Sequence, residues 1–234
     1  GAPGVAAGAP VFDPATLSLT GWWRASFSGS NPAGVASAGS SGSNNLSNGS
    51  NPPAATGTLN GLTVADFDGT NDEYAGAAFS TYWATSAWSG WVLVNIDAIN
   101  TNDTGNYALN DVLVGTDGTA EIAVYLRSAG PVVGVTIGSG VGAEVSISTG
   151  AWALVQFKGS TAFAGKAIRV NSGTWQTQAG GTIGSLAANL SIGDLAGGFL
   201  DGKIAEIGLT NSFLSDATFD DIKSYINSRY ALSL

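Results

Sequence analysis

Apolar and polar positions alternate along residues 16–26 (TLSLTGWWRAS). Leu17, Leu19, Gly21, Trp23 and Ala25 fall on one side, and Ser18, Thr20, Trp22 and Arg24 on the other. A period of two marks a half-buried strand. Its phase predicts Trp23 in the core, with Trp22 and Arg24 on the opposite face. Short runs rich in Val, Ile, Trp and Thr predict further strands at 62–68, 88–99, 111–115, 120–127, 132–137, 144–148, 152–158, 166–171, 190–193 and 203–209. TDG, GSG, STG and NSG turns punctuate them. Strands at this spacing, without intervening helices, predict an antiparallel sandwich or barrel and argue against βαβ units.

The period changes at the end of the chain. In 214–230 (LSDATFDDIKSYINSRY), Phe219, Ile222, Tyr225 and Ile226 recur at helical spacing. Ser215 is placed to cap the N-terminus. Asp216, Asp220 and Asp221 suit the positive end of the helix, and Lys223 and Arg229 suit the later turns. Residues 1–12 read as a flexible Gly/Ala/Pro arm that tethers the module or threads onto a neighbour. Residues 27–58, dense in Ser, Asn, Gly and Pro, read as a long surface loop. The remainder, 13–234, is expected to form a single domain.

Composition narrows the functional classes. Only 11% of the 234 residues are charged, against roughly 25% in an ordinary globular chain. The net charge of −9 is carried by residues 1–126, which hold ten acids and one base, Arg24; the rest is neutral. No cluster of Lys or Arg could displace counterions from phosphates, so neither nucleic acid nor an anionic membrane is an expected partner. The uncharged stretch 25–65 is too rich in Ser, Asn and Gly to span a membrane. The first ten residues have neither the basic region nor the apolar run of a signal peptide. Histidine and cysteine are both absent, which removes His-based triads, Cys nucleophiles, zinc sites and disulfides.

Three segments in order resemble the laminin-G-like branch of the concanavalin A-like lectin/glucanase superfamily. They are GWWRAS near the start, NGLTVADFDGTNDEY at 60–74, and FLDGKIAEIGLTNSFLSDATFDDIKSYINSRYAL from Phe199. The pair TGAWALVQFKG (149–159) and KAIRVNSGTW (166–175) is similar to a further strand pair of that family, although its turn, Asn171-Ser172-Gly173, is one residue longer. The resemblance covers roughly 13–232, apart from the 27–58 loop. It implies an all-β antiparallel jelly-roll sandwich with one short C-terminal helix. Modules of this Gly/Ser/Thr-rich type also occur in phage tail and other virion proteins.

The superfamily's glucanases carry Glu-x-Asp-x-x-Glu on one strand, where alternation turns the acids to one face. This chain has no such string. Glu121, Glu144 and Glu206 each stand as the lone acid of an apolar segment, and Glu206, at the family's Ile-x-Glu position, is expected to serve as a structural hydrogen-bonding group. Calcium needs only oxygen ligands. Asp66, Asp68, Asn71, Asp72 and Glu73 form one oxygen-rich group, and Asn102, Asp103, Asn106 and Asp111 another. Asp68 and Asp72 are the calcium candidates, with a turn-bracing role as the alternative for Asp68. Sugar binding calls for exposed aromatic planes beside polar groups. Trp22, Tyr82, Trp83 and Trp175 are the candidates for such planes, with burial the alternative for Trp83 and Trp175. Trp88, Trp91 and Trp152 are expected in the core.

These readings give a non-enzymatic module that binds a glycan or host-surface receptor, displayed on a phage virion as a tail or capsid accessory protein. The alternatives are a purely structural virion or assembly module without a ligand, and a secreted bacterial adhesin domain. The expected location is a virion or the extracellular space, with other virion subunits as neighbours and a homo-oligomeric assembly.

Overall fold

The computed structural model describes residues 12–24, 44–48, 51–84, 86–100, 111–116, 122–128, 130–137, 142–160, 165–181, 183, 188–195 and 198–234. In chain order its strands are β1 (Gly21–Arg24), β2 (Ser47–Asn48), β3 (Ala54–Leu59), β4 (Leu62–Asp68), β5 (Tyr74–Ala78), β6 (Ala87–Ala98), β7 (Val112–Thr116), β8 (Ile122–Arg127) and β9 (Val132–Ile137). They continue as β10 (Ala143–Ser146), β11 (Trp152–Ser160), β12 (Gly165–Val170), β13 (Gln176–Ala179), β14 (Asn189–Ile192), β15 (Asp194–Leu195), β16 (Gly198–Phe199) and β17 (Asp201–Thr210), and the helix α1 (Asp216–Tyr230) follows.

The strands form an all-β antiparallel sandwich. One sheet runs β13-β12-β11-β6-β17-β4-β3, with β1 added along β17; the other runs β10-β9-β8-β7-β14-β5-β2, and β15 and β16 make a small ribbon. The first strand pairs with the last, Gly21 to Leu209 through Arg24 to Glu206. Long apolar strands occupy the centre of the first sheet: β6 is buried from Trp88 to Val94, and β17 from Ile204 to Thr210.

Two apolar layers result. Trp23, Phe67, Trp83, Trp88, Val94 and Phe157 lie in the core between the sheets. On the outer face of the first sheet, Trp22, Trp91, Leu93 and Leu154 are covered by Phe219, Ile222, Ile226 and Tyr230 of α1. The predicted alternation holds only within β1, where Trp23 enters the inter-sheet core and Trp22 the helix side; Leu17 and Leu19, expected beside Trp23, lie before the strand and pack in the helix-side layer with Trp22. Residues 25 and 26 lie outside the described residues, and both faces of β1 are buried. The helix explains this, because it turns the outer face of a two-sided sheet into a second core. Ser215 caps the helix by accepting from the Thr218 amide at 3.1 Å, and Ala231 ends it in the left-handed region (φ 49°).

Glycines make room for rings across the strands. Gly208 faces Trp91, Gly159 faces Trp88, Gly90 faces Phe157 and Gly134 faces Tyr125. A Cβ on Gly208 would lie 2.2 Å from the Trp91 indole, and one on Gly159 2.3 Å from that of Trp88. The ring lies flat over its bare partner, so these glycines are packing residues in the middle of strands.

The stretch 27–58 is not only a loop, since β2 and β3 fall within it; residues 25–43 and the arm 1–11 lie outside the described residues. In β3 only Gly57 and Leu59 are buried, so its inward face is too small to show a period. β5 and β13 also lie outside the expected strands. All four side chains of β13 (QTQA) are exposed, as suits a polar strand at a sheet edge.

Candidate functional site

The strand ends at one end of the sandwich carry acids. Asp201 at the start of β17 stands opposite Asp68 at the end of β4 and Ala98 at the end of β6. Two residues along, Lys203 stands opposite Asp66 and Asn95. Asp97 and Asp66 both pair with the Lys203 ammonium, Asp66 at 3.6 Å. From the other sheet, Asp111 reaches this end just before β7, and its carboxylate accepts from the Asn100 amide at 2.6 Å. A Cβ on Gly69 would lie 2.8 Å from the Asp201 Cβ and 3.2 Å from the Asn100 side-chain nitrogen, which shows how closely these turns pack.

Asp111 is buried, with 1% of its surface exposed. Burial pushes its carboxyl up to about 6; the Asn100 amide opposes this and the Asp201 charge adds to it. Asp201 is also raised, by burial first and then by Asp97, against the pull of Lys203. A carboxyl that keeps its proton into the mildly acidic range, next to other carboxylates, can act as a general acid.

The two calcium candidates meet at this end, but they are engaged with the chain. The Asp72 carboxylate accepts from the Asp68 amide at 2.9 Å, and that of Asp68 accepts from the Thr70 amide at 2.8 Å. Burial raises Asp72, the bond from Asp68 opposing it. Both bonds brace the Asp68–Asp72 turn. Among the described residues no group of three or more acids is arranged to hold a metal ion.

The aromatic candidates do not form an open platform. Trp22 (2% exposed), Tyr82 (0%) and Trp83 (1%) are core residues. Trp22 donates to Glu206, Tyr82 tilts against Trp23, and Trp83 packs between Phe79, Trp88 and Phe157. Trp175 is half-buried; Lys158 and Arg169 lie 4.3 and 4.8 Å from its ring centre and Phe219 packs against it. Aromatic surface in a small sandwich is worth most in the core, which is where Trp22, Tyr82 and Trp83 lie. Trp88 and Trp91 are fully buried as expected, and Trp152 is half-buried.

Glu206 has the structural part expected of it. It is fully buried and accepts from Trp22 Nε1 and the Tyr230 hydroxyl, both at 2.8 Å, with Arg229 3.9 Å away. Burial raises its carboxyl and these partners oppose the rise. A bulge between Ile204 and Glu206 turns the side chains of Ala205 and Glu206 to the helix side together.

Beside the acidic end, a cleft of about 390 Å³ opens between the end of β10, the start of β11 and the turn after β12. Ile147, Ala153 and Val170 lie in its wall, with Ser146, Ser148 and Asn171 around them. Nothing in the alternation of these short segments marks them as neighbours, and Asp201 was equally invisible as a partner of Asp111.

No family model and no curated protein matches the chain. Solved structures do. An arabinofuranosidase complexed with arabinofuranosyl-α-1,2-xylobiose superposes with a TM-score of 0.59 at 16% identity, over 86% of this chain and 51% of that one. An α-L-arabinofuranosidase soaked with 4-nitrophenyl α-L-arabinofuranoside gives 0.61 at 17% identity over the same shares. A Trypanosoma rangeli sialidase in complex with sialic acid gives 0.63 at 13% identity, over 97% of this chain and 35% of that one. The chain thus spans about half the length of the first two proteins and about a third of the sialidase.

At these identities the likeness is one of fold. It still corrects the expectation of a non-enzymatic recognition or structural module on a phage particle. The solved structures named above are an arabinofuranosidase and a sialidase, carbohydrate-active enzymes, and they lend a phage or virion assignment no support. Missing His, Cys and same-strand acids exclude particular chemistries. They do not exclude carboxylates brought together from different strands.

Proposed function

We propose that this chain is the β-sandwich of a glycoside-hydrolysing protein, of the concanavalin A-like, laminin-G-like kind, and that its acidic end carries the reacting carboxylates. The sandwich shared with arabinofuranosidases and a sialidase carries this reading. The order of the GWWRAS, FDGTNDEY and DGKIAEIGL segments supports the family assignment.

Glycoside hydrolysis needs one carboxyl to protonate the leaving oxygen and a second carboxylate on the other side of the bond. Asp111, raised to about 6, supplies the acid. Asp201, half-buried and approached by Asp97 and Asp68, supplies the second group. The pair comes from two sheets, where the superfamily's glucanases use one strand.

The test is release of 4-nitrophenol from a panel of aryl glycosides, including 4-nitrophenyl α-L-arabinofuranoside. Wild type is expected to turn over at least one member, with activity falling above about pH 6 as Asp111 ionises. Asp111→Asn should lower kcat by about 100-fold or more, the usual contribution of a general acid. A panel without any turnover, or an Asp111→Asn/Asp201→Asn double variant as active as wild type, overturns the reading.

A further inference from the structure

The cleft beside the acidic end has two kinds of wall. Ile147 and Ala153 belong to the inter-sheet core, and Val145 and Val170 pack against it, so the floor is the open end of the sandwich interior. The rim carries Ser146, Ser148 and Asn171, all uncharged. Asn171 is held in the left-handed region (φ 53°). Its backbone amide donates to the Leu154 carbonyl at 2.9 Å, and its side-chain oxygen accepts from the Leu154 amide at 2.8 Å. That commits the oxygen and leaves the side-chain amide N–H groups as what Asn171 can offer a ligand.

An apolar floor under a rim of neutral donors and acceptors fits a sugar ring, which has a C–H face and a circle of hydroxyls. None of the described residues lining the cleft carries a charge, so an anionic sugar would be desolvated there without an opposite charge to offset the cost. The volume is near the lower end of small-ligand sites, roughly 300–1,000 Å³, which suits one ring and not an extended chain. The cleft also has a fixed relation to the carboxylates. β11 begins against the end of β6, with Trp152 opposite Asn95 and the Gly150 amide donating to the Ile96 carbonyl at 2.7 Å. Asp97 is the next residue.

We propose that this cleft is a subsite for a single uncharged sugar ring of the substrate. The inference rests on the glycoside-hydrolysing reading and adds to it a preference for neutral over acidic glycans.

The experiment is backbone-amide NMR of the full chain titrated separately with methyl α-L-arabinofuranoside, methyl β-D-galactopyranoside and the methyl glycoside of N-acetylneuraminic acid. A neutral glycoside is expected to shift the Ser146, Ser148, Asn171 and Gly173 amides and saturate at millimolar concentrations, with the neuraminic acid glycoside at least tenfold weaker. Ser148→Trp, at an exposed position, should weaken the neutral ligand at least tenfold, and Ser146→Trp serves as a second block if the first lowers the melting temperature. Absence of shifts, shifts confined to other regions, an equal response to the anionic sugar, or indifference to both tryptophan variants overturns the subsite. Cleft shifts without turnover of any aryl glycoside would remove the catalytic reading and leave the cleft a sugar site; turnover without cleft shifts would do the reverse.

Discussion

At the scale of single residues, buried polar groups set much of the behaviour. Trp22 Nε1 donates to Glu206 Oε1 at 2.8 Å beneath the helix, and Glu206 has no exposed surface. Trp22→Phe keeps the ring but removes the donor, so a buried carboxylate oxygen loses its partner. A loss of about 1–3 kcal/mol in urea unfolding is expected. Asp111 has a clear sign as well. Its folded value of about 6 lies above the ordinary 3.8, so the native state holds its proton longer than the unfolded chain does. Its contribution is therefore most favourable below about pH 4, declines as pH rises to about 6, and is level above that. Asp111→Asn should flatten this slope and add on the order of 2–3 kcal/mol at pH 7. Urea midpoints at pH 4, 5, 6 and 7 read it directly. The same variant is expected to lose turnover, which would make Asp111 a group kept for function at a cost in stability.

At the scale of elements, the strand and helix periods were readable where large side chains drew them. Predicted strands 62–68 and 132–137 coincide with β4 and β9, and most of the others differ from the observed bounds by one or two residues. β3, β5 and β13 were missed because Gly, Ala, Thr and Gln dominate them and leave no contrast between faces. The facing glycine–aromatic pairs have the same cause. A glycine in a strand looks like a weakness until its cross-strand neighbour is known, and only pairing shows that Gly208 lies under Trp91. Gly208→Ala should therefore cost about 1–3 kcal/mol through overpacking, although alanine is the better strand residue. An unchanged thermal midpoint would show that the Trp91 ring can shift at no cost. The helix has its own signature: Ser215→Ala removes the N-cap and should cost about 1 kcal/mol.

Across the whole molecule, the described residues form three layers: a seven-stranded sheet, an eight-stranded sheet and α1. The helix covers Trp22, Trp91, Leu93 and Leu154 and is fastened to the sheet by Lys158 with Asp216 and by Arg169 with Asp220, the latter at 2.8 Å. A chain ending at residue 213 would leave that apolar face open to water. It is expected to bind 8-anilinonaphthalene-1-sulfonate strongly and to aggregate, while the intact chain does neither. The acidic end and the neutral cleft also belong to this scale, since each is assembled from strand ends of more than one element.

The sequence by itself determined the all-β class, the closing helix and its cap, the core placement of Trp23 and Trp88, and the hydrogen-bonding part of Glu206, whereas Trp91, expected in the same core, is buried on the helix side. The first of these follow from local periodicity, and the part of Glu206 follows from the Ile-x-Glu position in the resemblance together with the need of a buried polar group for partners. Tertiary structure alone decided that Trp22, Tyr82 and Trp83 are buried, that Asp68 and Asp72 brace a turn, and that the Asp201 charge acts on the buried Asp111 carboxyl. The reason is physical. Alternation says which side of its own strand a residue faces, but not what covers that side or which distant strand end lies beside it. In a sandwich whose outer face is covered by a helix and whose acids come from separate strand ends, those are the questions on which the proposed function depends.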